Sequence, residues 1–243
     1  MRRSRITTLL TVLGLASGLG ALASAPAGAV DRQPQTVSFS STPPSGADWL
    51  SGVTPMGNIG YVATASATSG LPVTYSIAPA SAAICRIDGV YQDHPVWGTG
   101  AGIEFLGAGT CTVNADQAGN DAYLPAQRVS QSFQIEKAAT KLDPVKATKG
   151  LLAGTPSTFR ATLLFNDIGQ QYSRTYIGYP GRTVTFWVSG KPVCSAVTDS
   201  NGHATCTALL GLAARLLQTR FTVTYSGEAN YKPATRTALF SLV

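Results

Sequence analysis

The side chains equipped for chemistry are few. Only two histidines occur in 243 residues, His94 and His203. No G-x-S-x-G, H-E-x-x-H, phosphate loop or dinucleotide fingerprint appears anywhere in the chain. The glycine-rich run GTGAGIE, Gly98 to Glu104, leads into a strand pattern, whereas a phosphate cradle needs a following helix. Asp93 with His94 offers two metal ligands, fewer than a site requires. His203, beside a turn, reads as a solvated strand residue. A carboxylate pair for glycoside hydrolysis need not be close in the chain, so a hydrolase stands as the lesser alternative. The expectation is a protein that is not an enzyme, with no catalytic residue, cofactor or metal.

Aromatic loops are the better candidates. Ser45 to Asn58 carries Trp49. Gly89 to Gly102, GVYQDHPVWGTGAG, gathers Tyr91, Asp93, His94 and Trp97. Asn166 to Arg182 sets Tyr172, Tyr176 and Tyr179 among Arg174 and Arg182. A flat ring on a loop offers contact area at low entropic cost, which suits sugar stacking or protein contact. The same rings could instead fold back to close the ends of a domain.

The elements that must position these groups read as strands. Residues 1–29 look like a secretory leader, with Arg2, Arg3 and Arg5 before an apolar run from Ile6 to Leu22. Small residues at Ala27-Gly28-Ala29 predict cleavage before Val30. Gly14, Gly18 and Gly20 interrupt the run and argue against a membrane anchor, and no second run of spanning length follows. The arginine pair is compatible with twin-arginine export, but the rest of that motif is absent, so the export route stays open. Beyond the leader, runs such as QTVSFSS, IGYVATAS, PVTYSIA, GTCTVNA and RVSQSFQIE alternate apolar and polar residues between turn signals. The second half continues with STFRATLLF, RTVTFWVSG, HATCTALL and RFTVTYSG. Leu209 to Gln218 has helical spacing and reads as a crossover between sheets. Residues 30–136 carry 3 basic and 8 acidic side chains, net −5, and residues 137–243 carry 12 and 4, net +8. This change of sign, beside the short EKAATK segment, predicts domains over 30–136 and 137–243.

One phrase occurs twice, as GNDAYLPA from Gly119 and as GEANYKPA from Gly227. Both read Gly-x-x-x-Tyr-x-Pro-Ala, each just before the last strand of its half, so the phrase marks a repeated fold rather than an active site. With SGLPVTYSIAPASAAIC and GAGTCTVNADQAGNDAYLPA in the first half, and GRTVTFWVSG, TDSNGHATCT and TVTYSGEANYKPAT in the second, the chain resembles the bacterial immunoglobulin-like (Big-type) repeats of secreted and surface proteins. The resemblance covers nearly all of residues 34–243 and implies two tandem all-β antiparallel sandwiches. It also implies a bond between Cys85 and Cys111. Cys194 and Cys206 flank the turn Asp199 to Gly202 almost symmetrically, which predicts a disulfide across a hairpin. A four-cysteine metal site is disfavoured because no C-x-x-C is present.

The resulting expectation is a secreted, extracellular two-domain protein that binds or adheres, or that acts as a cell-surface spacer held non-covalently. Its partner would be an extracellular protein or polysaccharide. The basic second half points to an anionic wall polymer and makes a carbohydrate-binding accessory module the alternative. Nucleic acid is not expected as a partner of a secreted chain.

Overall fold

Short alternating runs bounded by glycine and proline fold here into antiparallel sheets that bury one face each. The computed structural model describes residues 31–54, 57–96, 98–152, 154–168 and 174–241, and the expected leader lies outside them. The first half contains β1 (Val37–Phe39), β2 (Val53–Thr54), β3 (Gly57–Ala63), β4 (Ala65–Ala67), β5 (Thr74–Ile77), β6 (Cys85–His94), β7 (Gly98–Phe105), β8 (Gly109–Asp116) and β9 (Val129–Ile135). The second contains β10 (Thr140–Thr148), β11 (Ser157–Ile168), β12 (Arg174–Gly178), β13 (Thr183–Val188), β14 (Lys191–Val197), β15 (His203–Ala208), α1 (Leu212–Leu217), β16 (Arg220–Tyr225) and β17 (Ala234–Leu239).

In the first half, the sheet β2-β3-β7-β6 faces the sheet β5-β8-β9, with the pair β1-β4 at the margin. Ile103, Phe105, Val113, Phe133 and Ile135 fill the space between. In the second, β14-β13-β16-β17 faces β10-β11-β12, and β15 pairs with β11. Phe159, Phe186 and Phe221 are fully buried at its centre, Phe159 lying 5.6 and 5.7 Å from the other two rings. The chain is thus all-β, with two immunoglobulin-like sandwiches each closed over its own core. Residues 140–148 are not among the strands read from the sequence. The strand forms nonetheless, with Pro144 at an irregularity between Leu142 and Val145 where no ladder donor is needed.

Both disulfides cross between sheets. Cys85 on β6 joins Cys111 on β8, Cα to Cα 5.8 Å, in the middle of the first core. Cys194 on β14 joins Cys206 on β15 at 6.3 Å. This second pair is the one expected, but the hairpin is not: β14 pairs with β13, and β15 pairs with β11 in the opposite sheet. Asp199 does cap the turn, accepting the N–H groups of Asn201 and His203 at 2.9 and 2.8 Å. Turn residues dictate a reversal, whereas burial of two apolar faces decides which sheet the next strand joins. The short helix α1 does carry the chain from the sheet of β15 back to that of β16, as its spacing suggests.

The repeated phrase adopts one conformation twice. Gly119 and Gly227 have φ of +76° and +77°, where only glycine is unstrained. The N–H of Asn120 bonds the carbonyl of Tyr123 at 3.0 Å, and that of Glu228 bonds the carbonyl of Tyr231 at 3.1 Å. Each tyrosine also forms a parallel bridge to the start of its own sandwich, Gln33 to Tyr123 and Ala138 to Tyr231.

No free linker joins the halves. The Glu136 N–H bonds Ala47 at 2.8 Å and its carbonyl accepts the Trp49 N–H at 3.1 Å, while Ala138, two residues on, is bonded to Asn230 and Lys232. The Trp49 ring meets Tyr231 edge-on at 5.7 Å, the Ala108 N–H donates to Asn230 Oδ1 at 3.0 Å, and Lys232 pairs with Glu136 at 3.4 Å. Arg32 to Val243 accordingly forms one continuous unit.

Candidate contact surface

The segment Gly89 to Gly102, expected as a loop, is instead the outer part of the hairpin β6–β7. Its register pairs Tyr91 with Gly100 and His94 with Gly98. The glycines that suggest a loop serve the sheet, because Tyr91 lies across it. A Cβ on Gly102 would come within 2.7 Å of the Tyr91 ring, and one on Gly89 within 3.1 Å of its hydroxyl. The Tyr91 hydroxyl donates to Asp88 at 2.7 Å. Burial, then the Asp88 bond and charge, push its pKa up to about 12. His94 stands 5.2 Å from the Tyr91 ring, and its Nδ1 accepts the N–H of Val96 at 3.2 Å. Asp93, with φ of +49°, turns the strand and is bonded to Thr99. Trp97 lies outside the described residues.

Beside this hairpin runs a shallow cleft of about 220 Å³, between Val90, Tyr91 and Thr99 on one bank and Leu71, Val73 and Tyr75 on the other. Tyr75 escapes the sequence reading because it sits in a strand outside the aromatic loops, and Val90, though inside Gly89–Gly102, is not an aromatic; only the fold brings β4, β5 and β6, from three different sheets, to the banks of one cleft. The Tyr75 hydroxyl accepts the Ala65 N–H at 2.8 Å, which fixes the ring.

Trp49 is not a free contact ring. It is half-buried against Tyr231, and its Nε1 is, among the described residues, the one buried side-chain polar atom without a hydrogen-bond partner. The third loop also divides. Residues 164–168 pair antiparallel with residues 174–178 as β11 and β12, and on β12 Tyr176 is 41% exposed with the Lys141 ammonium 4.2 Å over its ring. The β-propensity of Ile168, Tyr176 and Ile177 outweighs the polar residues that suggest a loop. Tyr179 is only 6% exposed and belongs to the second core, and Arg182 stacks on it at 4.4 Å. Tyr172 lies outside the described residues, as does the side chain of Arg174.

Tyr179, Tyr225 and Arg182 converge on one carboxylate. Arg182 Nε donates to Glu228 at 2.8 Å, the Tyr225 hydroxyl donates at 3.1 Å, and the Tyr179 hydroxyl donates to the same oxygen. Burial works to raise the Glu228 pKa, but the bonds from Tyr179, Tyr225 and Arg182 together hold it below its ordinary range. Burial raises the Tyr179 and Tyr225 pKa values, and their bonds to Glu228 add to this. This network closes the end of the second sandwich beneath the joint. Its members bond to one another, with the Arg182 and Glu228 side chains still 36% and 38% exposed. His203 is exposed on β15, with Nδ1 2.9 Å from Thr162 Oγ1.

No known protein family and no curated protein matches the chain. Among solved structures it is similar to one described as the D00-D0 domain of Intimin, at 12% identity and a TM-score of 0.25, over 74% of this chain and 89% of that one.

Proposed function

We propose that this chain is a secreted, non-enzymatic protein of the bacterial immunoglobulin-like (Big-type) class, with a leader over 1–29 and two domains that meet between Glu136 and Lys137. It works by extracellular contact and engages a polysaccharide or an extended protein segment along the cleft of the first sandwich. One observation carries this reading: Tyr75 and Tyr91 line a cleft floored by small residues, with Val90 exposed at its edge. Fixed rings above small side chains suit a sugar face or a flat peptide, and neither needs catalysis. Two disulfides fit an oxidising compartment.

The linkerless joint favours a second role in the same molecule, that of a stiff spacer presenting the first sandwich. An anionic wall polymer as partner of the second half is favoured by its net +8 and by the Lys141–Tyr176 pair, in which an exposed ring and a cation stand together.

The test is retention of the purified chain on intact cells and wall fractions at low and high salt. Tyr91→Ala should abolish salt-resistant retention while leaving the thermal midpoint near that of the parent. Tyr176→Ala should reduce only the salt-sensitive part. Retention untouched by both changes would leave the spacer role alone standing.

A further inference from the structure

The joint between the two sandwiches is a contact between unlike poles. One pole carries the repeated tyrosine turn, here Gly227 to Ala234. The other is built from the connection between the first long strands, which holds Trp49, and from the turn at 106–108 after β7. Because the fold is repeated, each sandwich has both poles, and the chain uses only one of each internally. The tyrosine turn of the first sandwich, Gly119 to Ala126, is bonded to Gln33 and, among the described residues, has no second sandwich against it. At the other end, residues 149–152 and 154–156, after β10, and residues 209–219, after β15, take the places in the second sandwich's strand order that Trp49, after β1, and Ala108, after β7, take in the first.

That second uncovered pole is strongly apolar. Leu151, Leu152, Leu209, Leu212, Leu216 and Leu217 are all exposed there, Leu212 at 71% and Leu217 at 75%. Arg215 ties the two connections into one face, donating to the carbonyls of Leu210 and Leu152 at 2.7 and 2.8 Å. Segments 149–156 and 209–220 contain Lys149, Arg215 and Arg220 and no Asp or Glu. Clustered exposed leucines on this scale mark a contact surface.

We propose that this leucine pole binds the Gly119–Ala126 turn of a second copy of the chain, repeating head-to-tail between molecules the joint already made within one. The differences between the two copies of the phrase support this occupant. Aligned on their glycines, Lys232 of the internal joint corresponds to Leu124, which is 39% exposed, and Ala229 corresponds to Asp121. The internal joint sets Lys232 against Glu136. The free turn substitutes an apolar residue and an acid, which complement leucines and arginines. Two leucine poles meeting symmetrically would instead bring like charges face to face. A contact between unlike poles leaves one pole free on each end molecule, so unless the rotation closes a ring the product is an open chain of molecules. This inference is independent of the ligand of the cleft, and either can fail alone.

The experiment is sedimentation velocity of the purified chain over a wide concentration range at low and high salt, with far-UV circular dichroism to establish folding. The expected result is a mass that grows with concentration without a fixed stoichiometry, and less so at high salt. Leu212→Ser with Leu216→Ser should weaken association about tenfold or more, and so should Leu124→Lys. Both changes sit at exposed positions, and the second installs the residue type that the internal copy already carries. Mixing the two variants should yield dimers and nothing larger, because each supplies the pole the other has lost. A chain that stays monomeric throughout overturns the proposal. Association insensitive to Leu124→Lys also overturns it, and assigns the leucines to a symmetric contact. A monomer that binds anionic phospholipid vesicles through the leucines overturns it in favour of a membrane surface.

Discussion

The joint makes a quantitative prediction about cooperativity. Replacing Asn230 by Ala removes the acceptor of the Ala108 N–H, worth about 1 kcal/mol. Replacing Trp49 by Ala deletes a ring that is half-buried, so about half of the 3–5 kcal/mol typical of a core tryptophan is lost, or ~2 kcal/mol. The double variant should therefore cost about 3 kcal/mol in all, shared between the coupling of the sandwiches and the first core, on which Trp49 also packs. By differential scanning calorimetry the parent should show one transition and the double variant two. Trp49→Phe is the discriminating control. It keeps an edge against Tyr231 but removes the buried Nε1 donor that has no partner, so it should cost within about 1 kcal/mol of nothing. If Trp49→Phe costs as much as Trp49→Ala, or if the double variant still melts in one unshifted step, the reasoning about this joint is wrong.

Other outcomes follow from the same geometry. Replacing Cys194 and Cys206 together by Ala opens a loop of sequence separation 12 and should cost about 3 kcal/mol in chemical denaturation, without altering the strand signature in circular dichroism. Gly178→Ala should cost more than about 2 kcal/mol, because its Cβ would lie 2.2 Å from the backbone carbonyl oxygen of Asn201, which cannot rotate away as a side chain would. The Glu228 carboxyl titrates below its ordinary range in the folded state, so its stabilisation is present above about pH 4 and is lost as the pH falls through the folded pKa. With the side chain 38% exposed, the effect should stay below about 1 kcal/mol and vanish in Glu228→Gln, measured by urea unfolding across that range.

The sequence alone determined most of the strand alternation and the repetition, while the Cys85–Cys111 pair was implied by the family resemblance and the Cys194–Cys206 pair by the turn between them. Alternation with period two is written in side-chain type, and Gly-x-x-x-Tyr-x-Pro-Ala needs the same left-handed glycine in both copies whatever surrounds it. The tertiary structure decided what each loop residue does. Tyr91, Trp49 and Tyr179 look alike as aromatic residues between turn signals, yet one lies across a sheet, one is held in a joint and one is core. Likewise, the turn at Asp199 announces a reversal, but the sheet that receives the next strand depends on a core assembled from residues far apart in the chain. Local spacing fixes conformation because it acts through neighbouring dihedrals and turn bonds. Exposure and partnership are properties of the packed whole, set by which distant faces exclude water together.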